Sequence, residues 1–366
     1  MKRVLTALVL VLLIVAGCIK PCEQKRNEVR FSASAGAVGT RTAYEGTVTG
    51  TAPDLMERIN WVAGSTNPDQ IQIFCAKTDV QTTVYKVQSV TSSSETVSSA
   101  ALAPVSGDGI QWADSEEHTF LAMYPAASIM GTDAADFTIN ATAASWLIPA
   151  TQTVTLKDGT RAYYPDMHYA TMLARTTGTS SDASINLAFQ PAFTTYEFSI
   201  SAGNNTAVHL TRLTLTTGAT DASLAGKVVA DGTGTGYPLN ADGYAVADGT
   251  GAASISIDFT GMTGGSLVLT GGEDPVTVTL LALPMNASQL TITIEGTEIG
   301  TRTLALTDSA NIWLNFTRCY KHRIQGLSFP HIDEFTATGG DIIWNGAVGE
   351  ELYWHGATGE DITWKN

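Results

Sequence analysis

Little of this chain is charged. Lys, Arg, Asp and Glu together make up 15% of its 366 residues, so Thr, Ser, Gly and Asn must cover most of the surface. Basic residues are the scarcer sign, 20 against 35 acidic, for a net charge of −15. Phosphate binding needs clustered Lys and Arg, so this balance excludes nucleic acid as an expected partner. It also argues against broad electrostatic attraction to an anionic membrane. Cysteine is rare: Cys18, Cys22, Cys75 and Cys319 are the only four. None has zinc-site spacing. Cys75 follows Ile71 and Ile73 at period two and reads as a small buried hydrophobe; a Cys75–Cys319 disulfide stays open. Long segments with apolar residues at helical spacing are absent, and Pro53 to Arg58 is the one short helix expected. The motifs that carry catalysis are missing too. No nucleophile elbow, no His-Glu-x-x-His and no phosphate-cradling loop occurs. Gly232 to Gly236 is glycine-rich, but no apolar strand precedes it and Tyr237-Pro238 follows where a helix should open. The six histidines are scattered. No enzyme activity, metal or cofactor is expected.

What is present begins at the N-terminus. Met1-Lys2-Arg3 supplies positive charge, Val4 to Val15 an apolar run, and Val15-Ala16-Gly17 small residues before Cys18. The run is shorter than the ~20 residues of a membrane span. The segment reads as a lipoprotein signal over residues 1–17, with lipid on Cys18. Losing Lys2 and Arg3 leaves 18 basic against 35 acidic residues, a net of −17. The expected location is an outer membrane lipoprotein precursor, then the cell surface.

Strand signals fill the rest. Val29, Phe31 and Ala33 alternate with polar residues, and Gly36 to Thr42 follows as an exposed loop. Clear strands recur at Ile71–Ala76, Thr83–Val90, Thr119–Tyr124, Ile185–Phe189, Tyr196–Ile200, Val208–Leu215, Ser254–Phe259, Val276–Leu283, Leu290–Ile294 and Thr303–Leu306, with Asp-Gly turns between several of them. Many short strands with Gly-rich turns predict an all-β chain of β-sandwiches. A small polar stretch, Arg175 to Ser184, marks the expected domain boundary. The expected organisation is a signal peptide (1–17), a lipidated tether plus first strand (18–41), an N-terminal sandwich (42–180), a C-terminal sandwich (181–339) and a tail (340–366). That tail repeats with period ten: the unit beginning at Asp341 recurs at Glu351 and again at Asp361. Each unit offers one short strand with an apolar pair on one face, namely Ile342/Trp344, Leu352/Trp354 and Ile362/Trp364.

Taken in order, these segments resemble the fimbrillins of Bacteroidales fimbriae, type V pilus subunits. The resemblance is carried by the lipobox ending at Cys18, the first strand at Glu28 to Ala33, and Gly39-Thr40-Arg41-Thr42-Ala43-Tyr44. It continues through Ile59 to Gly64, the strand Ile71 to Ala76, Phe120 to Pro125, Ile185 to Phe189, Leu283-Pro284 and Cys319 to His322. It implies two tandem transthyretin-like antiparallel β-sandwich domains. It also implies export as a lipoprotein, cutting by an arginine-specific protease in the loop after the first strand, and filling of the vacated groove by a strand of another subunit, usually from its C-terminal region.

The residues make physical sense of this. Removing Val29, Phe31 and Ala33 would expose an apolar groove and unpaired backbone, which invites strand addition. About five buried side chains at ~1.5–3 kcal/mol each give roughly 8–15 kcal/mol gross. The expected cut lies between Arg41 and Thr42, where a protease can reach. Arg26 precedes the strand and Arg30 lies inside it, so cutting at either would leave most or all of the strand in place. The alternative is that Arg41 is an ordinary loop residue and the lipid is kept. For the tail, three readings stay open: completion of the second sandwich, donation of a strand, or stacking of exposed Trp on sugars. Expected partners are other fimbrial subunits, the outer membrane through the lipid anchor, the protease, and host glycans or proteins in adhesion. The competing class is a monomeric surface lipoprotein that binds glycans or host proteins.

Overall fold

A computed structural model describes residues 28–35, 43–49, 56–64, 66–93, 98–157, 159–203, 207–218, 223–231, 246–247, 249–287, 289–307, 314–316, 321–331, 334–337 and 343–344. The first strand, β1 (Phe31–Ala35), is followed by β2 (Ala43–Thr49), β3 (Met56–Asn60), β4 (Gln70–Phe74), β5 (Thr82–Ser93), β6 (Ser98–Pro104) and β7 (His118–Tyr124). Two 3-10 turns, Ala127–Ile129 and Gly131–Asp136, lead into β8 (Thr138–Ile139), β9 (Ala143–Ile148), β10 (Thr151–Gln152), β11 (Val154–Leu156) and β12 (Ala162–Pro165). A third, Met167–Tyr169, precedes β13 (Met172–Gly178), β14 (Ile185–Pro191), β15 (Thr194–Ser201), β16 (Ala207–Thr217), β17 (Gly226–Asp231), β18 (Ser254–Asp258) and β19 (Leu267–Thr270). The chain continues through β20 (Val276–Ala282), β21 (Met285–Ala287), β22 (Gln289–Gly296), β23 (Gly300–Thr307), β24 (Leu314–Phe316), β25 (Lys321–His331), β26 (Glu334–Ala337) and β27 (Ile343–Trp344).

The chain is all-β. The period-two segments become strands with alternating burial: Ile185, Leu187 and Phe189 of β14 point inward while Asn186, Ala188 and Gln190 face out. The expected helix at Pro53–Arg58 is a correction. Its described part, Met56–Arg58, belongs to β3, which pairs with β2 from Ala43↔Asn60 to Thr49↔Met56. A helix of that length is marginal, because nucleation fixes several dihedrals for one bond, whereas a hairpin partner satisfies the same backbone groups at once.

The first sheet closes on itself in the order β1-β14-β13-β7-β4-β5-β6, with β6 returning to β1. The stretch Arg175 to Ser184, expected at a domain boundary, contains the turn that joins β13 to β14 within this barrel. Asp182 holds that turn by accepting from the Thr179 N–H at 2.7 Å. Two larger sheets follow, β10-β18-β16-β22-β23 and β11-β12-β20-β15-β25-β26, with β19 and β27 attached at their sides. Strands that precede β13 in sequence are laddered into these sheets, β10 parallel to β18 and β12 parallel to β20, while β9 pairs antiparallel with β17 in a separate three-stranded sheet with β8. The buried apolar side chains form one connected core from Val29 to Phe329.

Candidate functional site

The strand expected to be removable sits inside the barrel wall. β1 pairs in parallel with β14 from Phe31↔Ile185 to Ala35↔Phe189. On its other side it pairs antiparallel with β6, from Ser32↔Ala101 to Ala35↔Ser98. The ladder begins before the strand proper: the Val29 N–H donates to the Ile110 carbonyl at 2.9 Å, the Ile185 N–H donates to the Arg30 carbonyl at 2.8 Å, and Glu28 bridges Gln111. Both backbone edges of β1 are therefore used.

Side chains divide by parity. Val29, Phe31 and Ala33 are 1%, 3% and 0% exposed, whereas Arg30 faces solvent. The Phe31 ring meets Tyr85 and Phe120 edge-on, each centroid 5.2 Å away. Behind Phe120 stands Trp112 at 5.5 Å, itself packed on His118 at 5.1 Å. Edge-to-face geometry places positive ring edges on negative ring faces and adds ~0.5–1.5 kcal/mol per pair to the burial itself. Tyr85 is fixed from its far end, where its hydroxyl accepts the Ile110 N–H at 2.7 Å. Burial, and to a smaller degree the Glu28 carboxylate, push the Tyr85 hydroxyl well above its ordinary range. On the outer face Asn186 ties β14 to β1: it accepts from Ser32 Oγ at 3.3 Å and donates to Ser34 Oγ at 3.1 Å. Burying Val29 and Phe31 at ~1.5–3 kcal/mol each, with ~0.8 kcal/mol for the Ala33 methyl, gives about 4–7 kcal/mol gross. That is about half the figure drawn from sequence, because three buried side chains are described on this strand rather than five.

Trp61 closes one end of the barrel, against Tyr124 at 5.8 Å and Phe189 at 5.4 Å. Asp69 holds the segment beyond it by accepting the Val62 N–H at 2.6 Å. Cys75 is a free, fully buried thiol whose pKa burial raises, which keeps it protonated and unreactive. Asp166 accepts the His168 N–H at 3.0 Å and meets its ring Nδ1 at 2.9 Å. That contact lowers the Asp166 pKa and raises that of His168. Among the described residues no group of three or more His, Cys, Asp or Glu is placed to hold a metal ion.

The sequence-expected site residues fall into two sets. Val29, Phe31 and Ala33 lie together on the inner face of the barrel. Cys18, Arg41, Thr42, Ile342, Leu352, Trp354, Ile362 and Trp364 lie outside the described residues. Trp344 is described in its backbone alone, where Ile343 and Trp344 of β27 pair with Arg323 and His322 of β25. The groove walls were the part that sequence reasoning missed. Ser98 to Pro104 carries no strong strand signal, being Ser- and Ala-rich, and Ile185 to Phe189 reads as the opening of a second domain. Tyr85 and Phe120 stood in recognised strands, and their alternation with polar neighbours was the available signal for an inward-facing pair.

An all-β chain whose first strand completes its own barrel is thus the class that fold and site define. The chain matches the fimbrillin-like family over residues 60–324 and belongs to it. The matched span opens one residue before Trp61 and closes within β25, so β1 and the tail lie on either side of it. Among solved structures the chain is similar to a cell-adhesion candidate from Bacteroides ovatus, at 13% identity over 84% of this chain and 93% of that one, with a TM-score of 0.49. It is also similar to a second such candidate from Bacteroides uniformis (12% identity, 84% and 94% covered, TM-score 0.43) and to a fimbrial assembly protein from Parabacteroides distasonis (10% identity, 84% and 93% covered, TM-score 0.41). No curated protein matches the chain.

Proposed function

We propose that this chain is a structural subunit of a cell-surface fimbria and contributes to adhesion. It is exported as a lipoprotein with lipid on Cys18, cut between Arg41 and Thr42, and assembled by exchanging β1 for a strand of a neighbouring subunit. One observation carries the reading. β1 is a short strand near the N-terminus, yet it occupies a central place, bonded on both sides and packed through Val29, Phe31 and Ala33. A cut at Arg41 lies after the last residue of β1, so it severs the strand from the barrel while leaving every other described strand intact. What remains is a groove between β14 and β6 with two unpaired backbone edges, the arrangement that accepts an added strand. Membership of the fimbrillin-like family supports the same reading.

N-terminal sequencing of protein taken from the cell surface tests it. The expected start is Thr42, and Arg41→Ala is expected to keep the precursor uncut and unpolymerised. A start at Cys18 alone, in protein that nonetheless forms fimbriae, would overturn the cleavage step.

A further inference from the structure

Arg30 faces solvent between two residues of the barrel core, Val29 and Phe31, which are 1% and 3% exposed. Its side chain is open to a protease, but its backbone is not. The Arg30 carbonyl accepts the Ile185 N–H at 2.8 Å and the Ser184 hydroxyl at 3.4 Å. One residue before it, the Val29 N–H donates to the Ile110 carbonyl at 2.9 Å; one residue after it, Phe31 is laddered to Ile185. A protease binds its substrate as an added strand and places the scissile carbonyl in an oxyanion hole. While β1 is in the barrel, the backbone groups needed for that are already taken.

Resting on the strand-exchange reading above, we propose that the Arg30–Phe31 bond is a second cleavage site for the arginine-specific protease. It is closed while β1 is in the barrel and opens once the cut after Arg41 has let β1 go. Hydrolysis adds one water across the bond and leaves the Arg30 carboxylate and the Phe31 ammonium. The second cut divides the strand's grip. The piece ending at Arg30 keeps Val29, and residues 31–41 keep Phe31 and Ala33. Two linked contacts bind ~10²–10⁴ times tighter than either alone, so neither piece competes for the groove as the whole strand does. Release becomes one-way, and one enzyme performs both steps in a fixed order.

The placement of arginines supports this. Before Thr42 the chain has Arg3, Arg26, Arg30 and Arg41. A cut after Arg26 or Arg41 leaves β1 whole; a cut after Arg30 parts Val29 from Phe31. Arginines of the strands that stay keep their ladders after β1 has gone: Arg175↔Leu121, Arg212↔Asp258, Arg302↔Ile294 and Arg323↔Glu197. Arg161 lies at the start of β12, and its carbonyl is held by the Thr277 N–H at 2.9 Å. Arg30 differs from these because its backbone partners belong to strands that it leaves behind.

The test uses the full chain and an arginine-specific protease, followed in time by mass spectrometry and native gels. The cut after Arg41 should come first. The peptide of residues 31–41 should follow, and no chain should both begin at Phe31 and extend past Arg41. Arg30→Lys, which such a protease does not cut, should melt like the wild type and release β1 whole. With the protease inhibited, an added peptide of residues 27–41 should hold cut protein monomeric, whereas residues 27–30 and 31–41 added together should need at least about 10²-fold more. A chain that begins at Phe31 and runs past Arg41, a released wild-type β1 that stays whole under continued protease, or equal potency of whole and divided peptides would each overturn the second site. Protein cut after Arg41 that releases no β1 would instead overturn strand exchange itself, and this assignment with it.

Discussion

Gln152 joins the two large sheets, and replacing it should cost far more than its place on a two-residue strand suggests. It lies on β10, which belongs with β18, yet its amide reaches β20: Nε2 donates to the Leu281 carbonyl at 2.8 Å and Oε1 accepts the Leu281 N–H at 3.0 Å. The reason is local. β12 pairs with β20 at Thr277 and Val278. Three residues further on, no strand among the described residues continues along that edge, and the Gln152 amide supplies the missing donor and acceptor. The side chain is 4% exposed, so water does not substitute. Gln152→Leu would leave both backbone groups of Leu281 unpaired, at ~1–3 kcal/mol each, partly offset by burying an apolar side chain. The expected net loss is about 2–4 kcal/mol, or roughly 3–5 °C in melting temperature for one cooperative unit of this size, read by calorimetry or urea unfolding. Gln152→Glu adds a sign. Its carboxylate accepts from the Leu281 N–H but faces the Leu281 carbonyl, and only the protonated acid can donate to it. Its folded pKa is therefore raised, so the stability it contributes is present at low pH and lost as pH rises through that value. Gln152→Glu should gain on the wild type as pH falls from about 7 to about 5. A Gln152→Leu protein within ~0.5 kcal/mol of wild type would refute the reasoning, since that is the range of surface substitutions away from such features.

Two further outcomes follow from the same packing. Phe31→Ala removes a 3%-exposed ring between Tyr85 and Phe120; the uncut precursor should lose ~3–5 kcal/mol in urea unfolding, while cut forms that have released β1 should be equally stable with or without the change. Asp166→Asn keeps a competent cap for the 3-10 turn at Met167 but removes the charge beside His168. Both side chains are half exposed, so the stability change should stay below ~1 kcal/mol. In an NMR titration the raised His168 pKa should fall back toward its ordinary 6.5. The pair's contribution spans the window between the ordinary Asp166 and His168 values, fading below it as Asp166 protonates and above it as pH rises through the raised His168 pKa.

The strand content was legible because alternation at period two survives wherever one face is buried, as in β14 and β16. The inward faces of Val29, Phe31 and Ala33 were readable for the same reason. Ladder partners were not. A strand's own sequence records which side chains are buried, but its neighbours are set by backbone groups that every residue carries. Nothing in Ile185 to Phe189 says that it walls β1 in parallel, and the polar stretch before it reads as a linker whether it joins domains or, as here, turns the chain between two barrel strands. Gln152 was equally hidden. A glutamine beside Thr151 reads as surface, and its burial follows from the end of β12 thirteen residues later.

On the proposed strand exchange, the ladder also gives a reason why release of β1 would leave a receptive groove rather than a repaired barrel. Without β1 the remaining order β14-β13-β7-β4-β5-β6 is still continuous, so the fold has no need to collapse. β13 stays laddered to the other side of β14, at Met172↔Pro191 and Leu173↔Gln190. Over Ile185 to Phe189, β1 is the strand that satisfies the backbone of β14. Closing the seam directly would require β14 and β6 to pair across the space that Phe31 fills, and Tyr85 and Phe120 would then have to repack without the ring between them. Interiors at close-packed density resist such shifts. The open seam therefore keeps its unpaired edges and aromatic slot, and its free energy falls most when a strand of the same pattern enters, which is the driving force that a polymer built by strand exchange requires.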